Sequence, residues 1–502
     1  MSSGPDFSDL GGFVRRLEYK WMVGITFVLA LIMQILDVTI LNVALATLGR
    51  EFRVDAAALQ WVLTGYMISL AVFIPSSGWI ADRFGSKRTF QSAVVIFTLA
   101  SVLCGMSTEM WQLVGARVLQ GVGGGMLVPV GQAMLFRTFP PHERAKAGAV
   151  LSIPVTIAPM LGPVLGGLLV EYASWRWIFF INVPVGALAL VFTVLFLKEE
   201  ARSDPGRLDL PGFVLAGAGL ATLLYGLDQG AQLGWGEAQV WLSLIAAVLL
   251  IGGLIWRELT VRAPMLDLRL LTDRLFGTGN VLLLCQTGAM FGVLFLIPLY
   301  LQNLRGVSPM HAGLVLMPQA MSMLLTTQVI SRIYGRVGPK RLILAGFAVQ
   351  IAIGLGLQLQ GVDTSLWFLV ALLAVQGVAM GLLMTPVQTA TFARISGAAM
   401  GQASSMFNVS RQVATALGTA IVATVLVVLT ERGMSTVDPA AAGQVAAAQL
   451  GGYHGAFLVS VLFAGLGLLV GLRVRDADAV ASLDTTTVKA QPGERTPSET
   501  VR

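Results

Sequence analysis

The sequence is poor in charge. Of its 502 residues only 12% are Asp, Glu, Lys or Arg, against 55% hydrophobic. A soluble domain carries about 25% charged residues, so this chain lacks the charge to solvate a water-facing surface of its size. Cysteine and histidine are scarce too. Cys104 and Cys285 both fall within apolar runs, which excludes a disulfide framework and a cysteine zinc site. His142, His311 and His454 lie far apart with no ligand spacing, so no metal site is expected. There is no Walker A sequence, which excludes ATP-driven transport within the chain. Gly121-Val122-Gly123-Gly124-Gly125 follows no strand and lies mid-helix, so it reads as close helix packing rather than a dinucleotide loop. The net charge of +6 comes from short basic clusters without interleaved aromatics, and does not point to nucleic acid.

What the chain has instead is long apolar runs. From Trp21 to Leu48 only Asp37 is charged. A bilayer core roughly 30 Å thick takes about 20 apolar residues to cross as a helix. Fourteen such segments stand near 22–46, 58–80, 89–107, 111–135, 148–170, 177–197, 210–230, 238–257, 276–299, 311–331, 342–360, 365–390, 403–430 and 454–472. They are too long for barrel strands, and lipid demands that backbone polar groups be satisfied internally. The expected fold is an all-α polytopic membrane protein with 14 transmembrane helices. The first run is long enough to span and no small-residue cleavage site follows it, so no cleavable signal peptide is expected. The stretch Phe7 to Tyr19 reads as an interfacial lead-in.

Basic residues set the orientation. With the N-terminus inside, cytoplasmic segments hold 26 of the 33 Lys and Arg and the outside loops hold 5, with Arg117 and Arg411 inside helices. Both termini are expected in the cytoplasm of a plasma-membrane protein. An internal repeat supports a two-bundle plan. Arg83, Gly85, Lys87 and Arg88 recur as Arg336, Gly338, Lys340 and Arg341, and Gln120, Gly121 and Gly125 recur as Gln376, Gly377 and Gly381. The expected organisation is an N-terminal arm (1–20), a six-helix bundle (21–200), an inserted helix pair (201–262), a second six-helix bundle (263–475) and a disordered tail (476–502). Two related halves are what an alternating-access transporter needs.

Asp37 is the first candidate for chemistry, an acid deep in a span where charge is costly. Burial favours its neutral form, so it can exchange protons; the alternative is a structural Asp bonded to Gln34, Thr39 or Asn42. Arg117, in the fourth span, must find acceptors. If it approaches Asp37 it favours the ionised carboxylate in one state and releases it to take a proton in the other; otherwise it ties its helix to neighbouring carbonyls. Gly78, Asp82, Arg83, Gly85, Lys87 and Arg88 lie in an expected cytoplasmic loop. There Asp82 pairs with arginines or caps a helix of the other bundle, latching an inner gate, unless the segment is merely a solvated turn. Pro154, Pro159, Gly162, Pro163, Gly166 and Gly167 put kinks and close contacts into one span, a candidate hinge or an irregular packing helix. Arg411, with Asn408 and Gln412, either lines the cavity or packs. Met33, Gln34, Leu41, Trp61, Met160, Gln286, Phe291, Phe295 and Met323 suit an apolar solute cavity or ordinary core.

Leu36-Asp37-Val38-Thr39-Ile40-Leu41-Asn42-Val43-Ala44-Leu45, Gly78 to Arg88, the run around Arg117, Gly162-Pro163 with Gly166-Gly167, and Trp175 to Pro184 together resemble the fourteen-helix drug:proton antiporter branch of the major facilitator superfamily. The resemblance reaches to about residue 472. It implies two six-helix bundles plus an inserted hairpin, and export of hydrophobic or cationic compounds driven by the inward proton gradient, with no cofactor. It also implies proton-relay roles for Asp37 and Arg117 and an antiporter hinge at Pro159, Gly162 and Pro163. The chain departs from the pattern at Ala46, where proline is common, and no acid lies deep in the last six spans. Neutral, lipid-like or zwitterionic substrates therefore stay open. So do export of one specific lipid, siderophore or antibiotic, and a receptor that binds without transport. A non-enzymatic, monomeric transporter embedded in membrane lipid is expected.

Overall fold

Thirteen helices among the described residues are long and apolar enough to cross a membrane, and a bent pair adds a fourteenth span. The computed structural model describes residues 18–199, 205–261, 264–435, 437–438 and 441–483. The expected arm up to residue 17, the tail beyond 483 and the side chains of Ala46, Met160, Pro163 and Phe291 lie outside it.

The N-terminal bundle contains α1 (Tyr19–Phe52), α2 (Ala56–Phe73), α3 (Ser77–Phe84), α4 (Ser86–Met106), α5 (Met110–Thr138), α6 (Arg144–Tyr172), the single turn α7 (Trp177–Phe180) and α8 (Asn182–Phe196). An inserted pair follows, α9 (Leu210–Leu233) and α10 (Ala238–Thr260). The C-terminal bundle contains α11 (Arg274–Leu299), α12 (Pro309–Val337), α13 (Pro339–Gly356), α14 (Leu366–Thr391), α15 (Met400–Met434) and α16 (Ala442–Gly471). Sequence reading continued the second span to residue 80; the chain instead bends by 54° between α2 and α3. The expected loop from Gly78 to Arg88 is thus mostly helix, with Gly85 as the joint at φ +97°. Its repeat partner Gly338 joins α12 to α13 at φ +83°. Both need a conformation that glycine adopts without steric cost, so the repeated motif is a repeated turn.

The basic motifs lie at one end of the bundles, which we call the basic end. There α6 packs on α12 and α14, and α5 and α3 pack on α15. Phe136 of α5 stacks on Phe392 at 5.0 Å, and Phe392 meets Phe407 of α15 at 5.2 Å. One apolar cluster therefore runs through both bundles. The inserted helix α9 packs on both α2 and α15: Leu220 and Leu224 join Ala71, Val409, Val413 and Ala416 in a shared cluster.

The tail does not become irregular at residue 476 as expected from composition. Asp476–Ser482 forms a 3-10 helix with Ala479 and Ser482 buried. Asp476 Oδ1 accepts from the Lys340 backbone N–H at 2.9 Å, at the start of α13, and Ser482 Oγ lies 3.1 Å from Tyr334 Oη. Leu483 packs with Tyr334 and Leu342 of the C-terminal bundle and with Ala145 of the N-terminal one. A carboxylate at a helix N-terminus and two small apolar contacts are enough to fix this short polar stretch.

Candidate functional site

The α5 glycines bring their helix unusually close to its neighbours. A Cβ on Gly121 would stand 2.7 Å from the Tyr66 carbonyl oxygen of α2, and one on Gly123 would stand 2.7 Å from the Phe97 backbone nitrogen of α4. This supports the packing reading of the glycine run. The close approach carries Arg117, four residues before Gly121, into the middle of the bundle, where its side chain is fully buried.

Arg117 Nη1 meets Asp37 Oδ2 at 2.5 Å, with neither side chain exposed. The same nitrogen donates to Gln120 Oε1 at 2.7 Å, and Nε donates to the Val62 carbonyl at 3.2 Å. The guanidinium carbon lies 4.2 Å from the centre of the Tyr66 ring. On the other side, Asp37 Oδ1 accepts from Gln120 Nε2 and from Asn182 Nδ2, both at 2.8 Å. Asn182 also donates to Ser101 Oγ at 2.9 Å, and Ser101 donates to the Phe179 carbonyl at 2.9 Å. Helices α1, α2, α4, α5 and α8 are thereby tied to one ion pair. Two groups are left over: Arg117 Nη2 and Tyr66 Oη are buried without partners. The alternative partners for Asp37 do not apply. Thr39 donates to the Ile35 carbonyl at 2.9 Å, Asn42 is exposed, and Gln34 keeps a buried, unpaired Oε1. Residues two and five positions away point to other faces of the helix than residue 37.

The pair is neutral as a unit, which is why it tolerates full burial. Removing either partner would leave the other charge enclosed with only neutral groups around it.

At the basic end the gating residues divide into two groups. Asp82 accepts from Arg137 Nη2 at 3.2 Å, and Arg137 Nε reaches the Gly397 carbonyl of the other bundle at 2.9 Å. Of the two expected partners, Asp82 takes an arginine, Arg137 of its own bundle, which itself reaches across to the other. Gly78 lies against Gly401: a Cβ there would be 2.9 Å from its carbonyl. Ser77 Oγ lies 2.8 Å from Ser405 Oγ, Ser404 donates to the Pro129 carbonyl at 2.8 Å, and Arg144 Nη1 donates to the Phe392 carbonyl at 2.5 Å. Lys87 and Arg88 make their contacts within the N-terminal bundle. Lys87 Nζ donates to the Val194 and Leu197 carbonyls at the end of α8, a favourable place for a cation, and Arg88 pairs with Glu199 at 3.5 Å. Arg83 is exposed beside Trp79 and Arg207 on an open groove of about 460 Å³.

The hinge segment is one unbroken helix, α6, through Pro154, Pro159 and Pro163. Its small residues serve close packing on the helix of Asp37: Cβ atoms would meet Thr39 at Gly162 and Ile40 at Gly166, whereas Gly167 faces open space. The cavity candidates are dispersed. Met33 and Leu41 are N-bundle core, Met323 is buried in α12, and Phe295 packs in the C-bundle core. Gln286 carries a buried unpaired Oε1, and Trp61 is exposed and stacks on Tyr225 of α9 at 6.1 Å. Asn408 and Arg411 lie at the seam between bundles, where Asn408 Nδ2 donates to Gln132 Oε1 at 2.7 Å.

Sequence reading missed Gln120, Asn182, Ser101 and Tyr66, which are neutral and carry no signature by themselves. It also missed two acids of the inserted pair. Glu258 is fully buried at the end of α10, accepting from the Leu266 N–H at 3.3 Å with Oε1 unpaired, and Asp228 accepts from Thr64 Oγ1 at 3.4 Å.

Residues 27–419 match the profile of the Major Facilitator Superfamily. The chain is 35% identical over 406 residues to a multidrug resistance protein B homolog of Mycobacterium tuberculosis, covering 80% of this chain and 75% of that protein. It is 32% identical over 469 residues to a putative multidrug resistance protein MdtD of Serratia proteamaculans, covering 93% and 94%. Among solved structures, the human organic anion transporter MFSD10 superposes with a TM-score of 0.61 at 15% identity, over 91% of this chain and 100% of that one. A double-tryptophan mutant of XylE superposes at 0.60 and 16% identity, over 89% and 95%. These two likenesses show the fold alone.

Proposed function

The chain belongs to the major facilitator superfamily of multi-pass membrane transporters, and from that premise we propose that it is a proton-coupled antiporter exporting amphipathic small molecules. The observation that carries this reading is the buried Asp37–Arg117 pair at 2.5 Å. A carboxylate and a guanidinium so enclosed compensate each other's charge, and a change of helix packing that parts them leaves each without its complement. Contacts between the bundles at the basic end supply the packing change: they close one mouth of a path between the halves, and breaking them opens it. With the basic end in the cytoplasm, as the distribution of Lys and Arg supports, protons enter from outside and the solute leaves. The names of the relatives support drug-like solutes. The reading makes the protein a monomeric carrier in the plasma membrane, driven by the proton gradient without a cofactor and performing no covalent chemistry.

The test is efflux from proteoliposomes holding the purified chain and an amphipathic dye, with and without an imposed pH gradient. Gradient-dependent efflux is expected in the wild type and is expected to vanish in Asp37→Asn. Wild-type coupling in that variant would sink the assignment; efflux indifferent to the gradient would make the protein a facilitator.

A further inference from the structure

The interior arginines are not equally compensated. Arg117 has Asp37, Arg137 has Asp82, and Arg144 donates to the Phe392 and Ala393 carbonyls. Arg411 is different. It lies eleven residues into the 35-residue α15 and is the only charged residue between Met400 and Thr430. It is half-buried, and its Nη2 donates to Asn408 Oδ1. Asn408 in turn holds Gln132 of α5, and Gln412 beside it reaches Met67 Sδ of α2 at 3.9 Å. The guanidinium therefore lies where the bundles meet. Among the described residues it forms no ion pair.

A guanidinium never gives up its charge and offers five donors, of which one amide oxygen here engages one. Charges inside a membrane span are normally matched by an opposite charge or by several carbonyls. The nearby acids are committed elsewhere: Asp37 is enclosed by Arg117, Gln120 and Asn182, Asp82 by Arg137, and Asp228 is on the inserted pair beside Thr64. The seam thus holds a positive charge without its complement, in the place a solute must pass.

We propose that Arg411 is the counter-charge for the acidic head of the transported solute, which makes the substrates amphiphiles bearing a carboxylate, sulfonate or phosphate. A planar fork of donors matches such oxygens in pairs. Asn408 presents the guanidinium, and the apolar walls of the seam take the hydrophobic part. This deepens the export reading and rests on it for the route between the bundles, and it sets the charge preference opposite to that of a cation exporter.

The test uses pyrenebutyrate and pyrenebutylamine, which share one apolar body and carry a carboxylate or an ammonium head, titrated into the purified full chain in detergent. Arg411→Gln is expected to weaken carboxylate binding about tenfold, equivalent to about 1.4 kcal/mol, while ammonium binding stays level or tightens. Arg411→Lys, which keeps the charge, is expected to keep the carboxylate preference. Unchanged carboxylate binding in Arg411→Gln, or equal loss of both ions in a variant that unfolds at the wild-type temperature, overturns the proposal. So does loss of the preference in Arg411→Lys. No gradient is involved, so these outcomes are independent of whether Asp37 couples protons to transport.

Discussion

Asp37 and Arg117, eighty positions apart in sequence, meet at 2.5 Å with no exposed surface on either side chain. Breaking a buried pair by removing one partner costs about 3–5 kcal/mol, because the survivor is left charged and enclosed. Arg117→Leu is therefore expected to lower the thermal unfolding midpoint of the purified protein markedly. The double variant Asp37→Asn with Arg117→Gln should be more stable than the sum of the single losses predicts. Additive losses in that cycle would mean that the two side chains are not coupled in the folded protein.

Ser77 and Ser405 give a state-specific link between the bundles, their hydroxyl oxygens being 2.8 Å apart. Ser77→Cys with Ser405→Cys is expected to form a disulfide under mild oxidant, read by mass spectrometry of the digested protein. Transport should stop on oxidation and return with reductant. Adding Gly78→Val, whose side chain would strike the Gly401 backbone, should cut the cross-link yield several-fold. Efficient cross-linking in that triple variant would show that the close approach of α3 and α15 is not needed for closure.

Gly338 combines φ +83° with a tight neighbour, since a Cβ would lie 2.9 Å from the Asp476 carboxylate. Gly338→Ala is expected to lose about 1–3 kcal/mol from the positive-φ backbone alone, and more from displacing Asp476. Truncation after Arg475 removes that neighbour and the Ser482 contact to Tyr334. Once truncated, the chain should unfold at a lower temperature and be less sensitive to Gly338→Ala than the full-length protein. Equal sensitivity in both backgrounds would place the strain in the turn alone.

Much of the fold was legible because lipid leaves few choices. A chain that must bury every backbone polar group in about 30 Å of hydrocarbon writes its spans as apolar runs. The repeated turn was legible as well, since Gly85 and Gly338 share both sequence context and positive φ. The break between α2 and α3 was not. Ile74-Pro75-Ser76 continues the apolar window, and hydropathy has no term for direction. Asp37 and Arg117 stood out because charge is costly at that depth. Asn182 and Gln120 did not, because an uncharged amide is common in a span and only the rotation of its helix decides what it touches. The Asp82–Arg137 pair was half visible: the acid was in the motif, but Arg137 looked like any basic residue at a span end. Glu258 carried no signal of its own, because its burial depends on how the chain around Leu266 folds over it.

The sequence by itself determined the solvent of the protein, the number of its spans and the presence of two rare charges, Asp37 and Arg117, inside the N-terminal half. These follow from composition along one dimension, where the bilayer penalises each exposed polar group independently of its neighbours. Tertiary structure alone decided that the two charges neutralise each other, that Lys87 and Arg88 serve their own bundle, and that Arg411 is left at the seam without an acid. Those outcomes depend on which faces of tilted helices meet, and a guanidinium's worth is set by what stands within about 4 Å of it.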